Sequence, residues 1–395
     1  MIDKGLVALG AAPNKIRTAF AYGLARKAEI GADNVFDLSI GNPSVPAPKE
    51  LDEAVIKIAQ ERTSAAHAYS PSYGLQEVRE QIAQNLNERF NTNYTFEHLY
   101  LTAGAAGALA IVLKAIVSPG ETVLTVAPYF TEYKVWAEGA GAKLIEVPAR
   151  STDFQIDIDA MEAVIDEKTS CVIINSPNNP VGTIYSDENL RQLAAVLNKK
   201  SLEFGKRIYL ISDEPYRELY YDAADKPAWV PSIYKDTIVA YSWSKSMSLP
   251  GERIAYLLVG PDVENNKEIY NAIVGAARLY GYICAGVTFQ KAVAASINAP
   301  VDTATYNENR LFFMEGLRKI GYTFIEPKGA YYMWIKSLDE NCDAFCEHAK
   351  KYELLIVPGS EFGQEGWVRA GYCCEKKVIE GALSAFQKLW DEYHS

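Results

Sequence analysis

Lys245 stands among small hydroxyl residues in the run Ser242-Trp243-Ser244-Lys245-Ser246, and Arg253 follows eight positions later. Such an amine can form a Schiff base with an aldehyde, while an arginine fork and nearby hydroxyls suit a phosphate. The set fits an anionic ligand that carries an aldehyde. Asp213 ends an apolar run in Asp213-Glu214-Pro215-Tyr216. Opposite a pyridine nitrogen, its carboxylate would keep that nitrogen protonated and make the ring an electron sink. Tyr216 and Asn179 are donors suited to an anionic ring oxygen. Gly104-Ala105-Ala106-Gly107 reads as a helix start after a strand, where free backbone N–H groups and the helix dipole favour a phosphate. Each feature also has a plainer reading. A lysine among serines is common, a turn aspartate is usually solvated, and Asn179-Pro180 ordinarily marks a turn.

The elements that must position these groups are legible from periodicity. Short runs rich in Val, Ile and Tyr predict strands over Leu99–Thr102, Thr122–Ala127, Lys143–Val147, Cys171–Asn175, Arg207–Ser212, Thr237–Ser242 and Ile254–Val259. Amphipathic helices separate several of them; Leu190, Leu193, Ala194 and Leu197 share one helical face, and Gly205 follows that helix. The alternation implies an α/β fold with a mostly parallel seven-stranded sheet flanked by helices. Ligands of such sheets bind beyond the carboxyl ends of the strands. Four of the predicted strands end beside Gly104, Asn179, Asp213 or Lys245, so one rim would gather them.

Pro46-Ala47-Pro48 reads as a linker. Residues 49–290 form the expected large domain. Residues 1–48 and 291–395 form a smaller α+β domain, with strands predicted at Ala330–Ile335, Leu354–Val357 and Trp367–Ala370 and a final amphipathic helix.

Composition narrows the function class. A chain of 395 residues with 49% hydrophobic and 23% charged residues is an ordinary globular protein. The formal charge of −11 argues against nucleic acid or an anionic membrane as partner. The uncharged stretch Leu99–Leu113 is shorter than the roughly 18 to 20 residues of a membrane span. The first residues lack a signal-peptide pattern, and six scattered cysteines form no disulfide framework, so a cytoplasmic protein is expected. Cys342, Cys346 and His348 lie in a helical pattern where cysteines are commonly small buried hydrophobes, and no metal is expected.

With these residues placed, the chain resembles the class I/II aminotransferases, fold-type I pyridoxal-phosphate enzymes, over nearly its whole length. The resemblance rests on Tyr69-x4-Gly74-Leu75 with Arg79, Thr102-x-Gly104, Pro128-Tyr129-Phe130, Asn179-Pro180-x-Gly182, Asp213-Glu214-x-Tyr216, Ser242-x-Ser244-Lys245, Gly251-x-Arg253 and Val368-Arg369, in that order. It implies pyridoxal 5'-phosphate as cofactor, amino acid and 2-oxo acid substrates, ping-pong amino transfer and a homodimer with shared active sites. Lys245 is implied to be the Schiff-base lysine and proton carrier. Asp213 would pair with the ring nitrogen, Asn179 and Tyr216 with the phenolic oxygen, and Phe130 would stack on the ring. Arg253, Ser242, Ser244 and the backbone of Gly104, Ala105 and Ala106 would hold the phosphate, with Tyr69 reaching the neighbouring subunit's phosphate. Arg369 would clamp the substrate α-carboxylate, with Gly41 in the adjoining loop. Val181 departs from the family's usual threonine. Ala106 stands where one aspartate-using branch has lysine, and Arg278 lies one position from a partner-subunit arginine of another branch. From that offset, Arg278 is expected to read an acidic side chain or to be a surface residue.

Three other readings compete. β-Elimination or decarboxylation would use the same cofactor and sheet. Ser242-x-x-Lys245 also matches serine–lysine acyl enzymes, but Ser186-Asp187-Glu188 and Lys168-Thr169-Ser170 do not supply their further motifs. A cofactor-sensing regulator would carry an added DNA-binding domain.

Overall fold

The computed structural model of the chain describes residues 2–12, 14–282 and 284–395. A short first strand, β1 (Phe36–Asp37), is followed by β2 (Leu99–Thr102), β3 (Thr122–Ala127), β4 (Lys143–Pro148), β5 (Thr169–Asn175), β6 (Tyr209–Asp213), β7 (Thr237–Ser242) and β8 (Ala255–Val259). The last seven form one sheet in the order β2-β8-β7-β6-β5-β3-β4. β8 runs antiparallel to both its neighbours, and the other pairings are parallel.

This sheet is buried on both faces, as its near-continuous apolar strands require. Cys171 and Ile173 of β5 meet Leu109 and Ile273 from the helices Gly104–Ile116 and Asn266–Tyr280. Val172 and Ile174 point the other way, onto Leu190, Leu193 and Leu197 of the helix Asp187–Phe204. Ser186 caps that helix by accepting from Asn189 N, and Gly205 ends it in the left-handed region. Burying Leu193 and Leu197 completely contributes roughly 2 kcal/mol each.

The later strands β9 (Phe324–Ile325), β10 (Tyr332–Lys336), β11 (Leu354–Leu355), β12 (Val357–Pro358) and β13 (Trp367–Gly371) follow. Four of them form an antiparallel sheet in the order β12-β13-β10-β9, while β11 pairs in parallel with β1. β1, in the N-terminal segment, is thus joined to the C-terminal part through β11. Phe313 and Leu317 pack there with Met333, Val368, Phe386 and Leu389. The expected domain boundary at residue 290 falls inside the helix Val287–Ala295, whose Ala292 and Val293 pack against Leu51, Ile82 and Leu258 of the large-sheet core.

Candidate active site

Register places the chemistry. Asn175 and Asp213, at the carboxyl ends of β5 and β6, lie side by side with Ala240 of β7, and Ser242 and Thr102 flank Ala255 of β8. The Asn175 side chain then fixes the rim: its Nδ2 donates to Asp213 O at 2.8 Å, and its Oδ1 accepts from Asn179 N at 2.7 Å. The loop after β5 is held at its far end by Gly182, whose carbonyl accepts from the backbone N–H of Lys328 and Gly329. Gly182 has φ +80°, and a Cβ there would meet Pro327 Cβ at 2.5 Å, so a side chain has neither the conformation nor the space.

Asp213 is buried. Tyr133 donates its hydroxyl to Asp213 Oδ2 at 2.5 Å, while Oδ1 has no hydrogen-bond partner. Burial pushes the carboxyl up to about 7 and the Glu214 charge adds to this, against the lowering effect of the Tyr133 hydrogen bond. Glu214 is itself held by Ser212 Oγ at 2.7 Å and by Arg217 Nε, and the Arg217 guanidinium lies 4.9 Å from the Trp229 ring. Tyr216, on the same turn, shares a hydrogen bond of 3.0 Å with the Tyr332 hydroxyl.

Lys245 sits on the short helix Trp243–Ser246 directly after β7. Trp243 anchors that helix in the core against Tyr241 and Tyr256. The Lys245 Nζ donates to Gly41 O at 2.7 Å, an oxygen that also accepts from the Tyr331 hydroxyl at 2.9 Å. Burial lowers the amine to about 8, with Arg369 and Arg253 acting in the same direction and Cys373 opposing them. A substantial fraction of it is uncharged, and nucleophilic, slightly above neutrality.

Arg369, buried on β13, bridges the two sheets. Its Nη1 donates to Asn179 Oδ1 at 2.9 Å and its Nη2 to Ser39 O at 2.5 Å, while Nε has no partner. The guanidinium lies 4.5 Å from the Tyr332 ring and 4.8 Å from the Phe362 ring. At the other end, the Arg253 guanidinium packs against the start of the helix Gly104–Ile116, where a Cβ on Gly104 would come within 2.4 Å of Nη2. Ser242 Oγ is buried without a partner.

A cavity of about 270 Å³ unites these groups. Gly41, Ala105, Ala106, Phe130, Asn179 and Asp213 line it, together with Tyr216, Ser242, Ser244, Lys245, Arg253 and Arg369. Gly104 stands behind the wall, against Arg253. Tyr69 and Arg278 are not brought to it: Tyr69 is 99% exposed, and Arg278 is exposed near the end of the helix Asn266–Tyr280. Tyr133, Ile16, Trp136, Asn175 and Tyr332 lie at the site without having been singled out from sequence. Cys342 Sγ lies 3.1 Å from Glu365 Oε2 with Asp343 adjacent, a grouping of metal-ligand types that excludes His348 and Cys346.

Comparison with known proteins agrees with this geometry. The family model described as aminotransferase class I and II matches residues 33–386. An aminotransferase structure from Eubacterium rectale superposes with a TM-score of 0.96 at 44% identity, covering 100% of both chains. An aspartate aminotransferase of Thermotoga maritima is 28% identical over 361 residues, 90% of this chain and 91% of its own. A solved aspartate aminotransferase structure from that species has a TM-score of 0.85 at 27% identity, covering 96% of this chain and 98% of the other. The chain belongs to the class I and II aminotransferases, a family of pyridoxal-phosphate-dependent transaminases.

Proposed function

We propose that this protein transfers the amino group of an L-amino acid to a 2-oxo acid by a ping-pong cycle, with pyridoxal 5'-phosphate bound through Lys245. One observation carries the reading: an amine of lowered basicity and a buried carboxylate oxygen without a partner share a cavity with an arginine. The residues present fit the cofactor. Asp213 Oδ1 needs a donor and a protonated ring nitrogen is one; Ser242 Oγ needs a partner and a phosphate oxygen is one. Ser244, Arg253 and the amides of Ala105 and Ala106 complete the phosphate end, and Phe130 supplies the face for the ring. Asn179 gives its carbonyl oxygen to Arg369, which leaves its amide nitrogen to donate, beside Tyr216, to the phenolic oxygen.

When bound, the cofactor acts as an electron sink for the charge left at the substrate α-carbon. The protein's residues do the rest. Arg369 holds the α-carboxylate, with its unpartnered Nε available for that bond. Lys245, once its amine is free, takes the proton from the α-carbon and passes it on, and its lowered basicity near 8 suits both taking and giving.

The exposed Tyr69 ring suits contact with a second copy of the chain, so the working unit is a homodimer with shared sites. No helix among the described residues is long and apolar enough to cross a membrane. The free cysteines fit the cytoplasm, a reducing compartment.

The deciding experiment is spectroscopic. The yellow holoprotein should bleach with an amino donor and regain its colour with a 2-oxo acid. Release of pyruvate and ammonia without any acceptor would instead identify a β-lyase, and release of carbon dioxide a decarboxylase.

A further inference from the structure

The cavity wall also bears on the substrate. We infer that the amino donor carries an apolar side chain, with Ile16 and Trp136 forming its pocket and no cation of the same chain placed to receive a second carboxylate. This rests on the aminotransferase reading above.

Ile16 lines the cavity from the start of the helix Lys15–Ile30. It packs on the cluster that contains Phe362, the ring against which Arg369 lies, so it borders the α-carboxylate end. Trp136 lines the cavity from the helix Glu132–Ala140, its ring 6.0 Å from that of Phe130.

Cations in the wall, among the described residues, are Lys245, Arg253 and Arg369. All three are committed: to the aldehyde, the phosphate and the α-carboxylate. The basic residues on either side of Ile16 are engaged as well. Lys15 Nζ bonds Asp343 Oδ1 at 2.6 Å and Ser360 Oγ at 2.8 Å, and Arg17 Nη2 bonds Glu132 Oε1 at 3.2 Å. These bonds hold Ile16 between the segment containing Ser360 and the helix containing Glu132. Each cation is thus paired with a carboxylate, and one further carboxylate lies close by, Glu361 Oε2 accepting from Lys15 N at 3.3 Å. A distal carboxylate entering there would lose water and meet, from the same chain, only cations already paired with carboxylates. An aliphatic or aromatic side chain would lose only apolar contact with water.

The test compares two unreactive substrate-shaped acids binding to the holoprotein, read by calorimetry, with bleaching rates for a donor panel. 3-Phenylpropanoate should bind at least ~10-fold tighter than succinate, in the range one apolar pocket discriminates. Leucine, methionine or phenylalanine should bleach the protein faster than aspartate or glutamate, and Ile16→Arg should narrow or reverse both preferences. Succinate bound as tightly as phenylpropanoate, or faster bleaching by acidic donors, overturns the inference and leaves the aminotransferase reading standing. Loss of that acidic preference in Arg278→Ala would then assign it to the partner's Arg278. Bleaching by no amino acid, with neither acid bound, overturns both.

Discussion

Tyr133 and Asp213 share one short hydrogen bond, 2.5 Å from hydroxyl to Oδ2, while Asp213 Oδ1 is left without a partner. The carboxylate is therefore oriented from one side and available on the other. The bond also opposes the effect of burial, favouring the ionised form.

Removing it should weaken the hold on the cofactor. Tyr133→Phe keeps the ring but takes away the donor, so the Asp213 carboxyl rises further and is less often ionised. The expected loss in kcat/KM is about tenfold, the worth of roughly 1–2 kcal/mol for one such bond. Cofactor release, followed by absorbance on dilution, should be faster. An unchanged release rate would show that the bond does not act through the carboxylate.

Asp213 makes the cofactor-free protein less stable as pH rises. Its folded value of about 7 lies above the ordinary 3.8, so between those values the folded chain holds a proton that the unfolded chain releases. That advantage declines as pH rises and is gone once pH exceeds the folded value. Asp213→Asn cannot ionise and still offers Tyr133 an acceptor. Its stability relative to wild type should be greater at pH 8 than at pH 5 by on the order of 2–3 kcal/mol. Urea unfolding of the cofactor-free proteins at the two pH values measures this, and an equal difference at both would contradict it.

Lys245 sets a second pH dependence. Only the uncharged amine attacks an aldehyde, and with the folded value near 8 its fraction falls about tenfold per pH unit below that. Uptake of pyridoxal phosphate by the cofactor-free protein should slow accordingly from pH 8 to pH 6 and level off above pH 9. A flat profile from pH 6 to 9 would mean that the amine is not the attacking group.

Behind the catalytic turn, Glu214 and Arg217 form a buried ion pair of 1% and 5% side-chain exposure. Arg217→Met leaves Glu214 charged and unpaired next to Asp213, at a cost of about 3–5 kcal/mol. Combining it with Glu214→Gln should recover most of that loss, because Ser212 can still be hydrogen-bonded. Urea denaturation of the single and double variants measures the coupling. Additive losses would show that the two side chains act independently.

The sheet was legible because buried strands leave apolar runs, and every strand predicted for it lies within two residues of the observed one. The rim followed, since Asp213 closes its strand and Asn179 and Lys245 come within a few residues after theirs. Tyr133 was not legible: its partner is 80 residues away, and a tyrosine in a helix normally reads as packing. Ile16 reaches the cavity because the N-terminal segment folds back on the C-terminal part, through the β1–β11 pairing and the bonds of Lys15 to Asp343 and Ser360. β9 is two residues long, below what periodicity can detect. Tyr69 and Arg278, expected at the site from the resemblance, lie outside the cavity of their own chain.

The central claim is that Lys245 binds the cofactor's aldehyde through its amine. Borohydride treatment of the yellow holoprotein, followed by peptide mass analysis, tests it most directly. The account predicts a pyridoxyl-phosphate mass added to Lys245 alone, and neither yellow colour nor label in Lys245→Ala. Label on another lysine, or full labelling of Lys245→Ala, would contradict it.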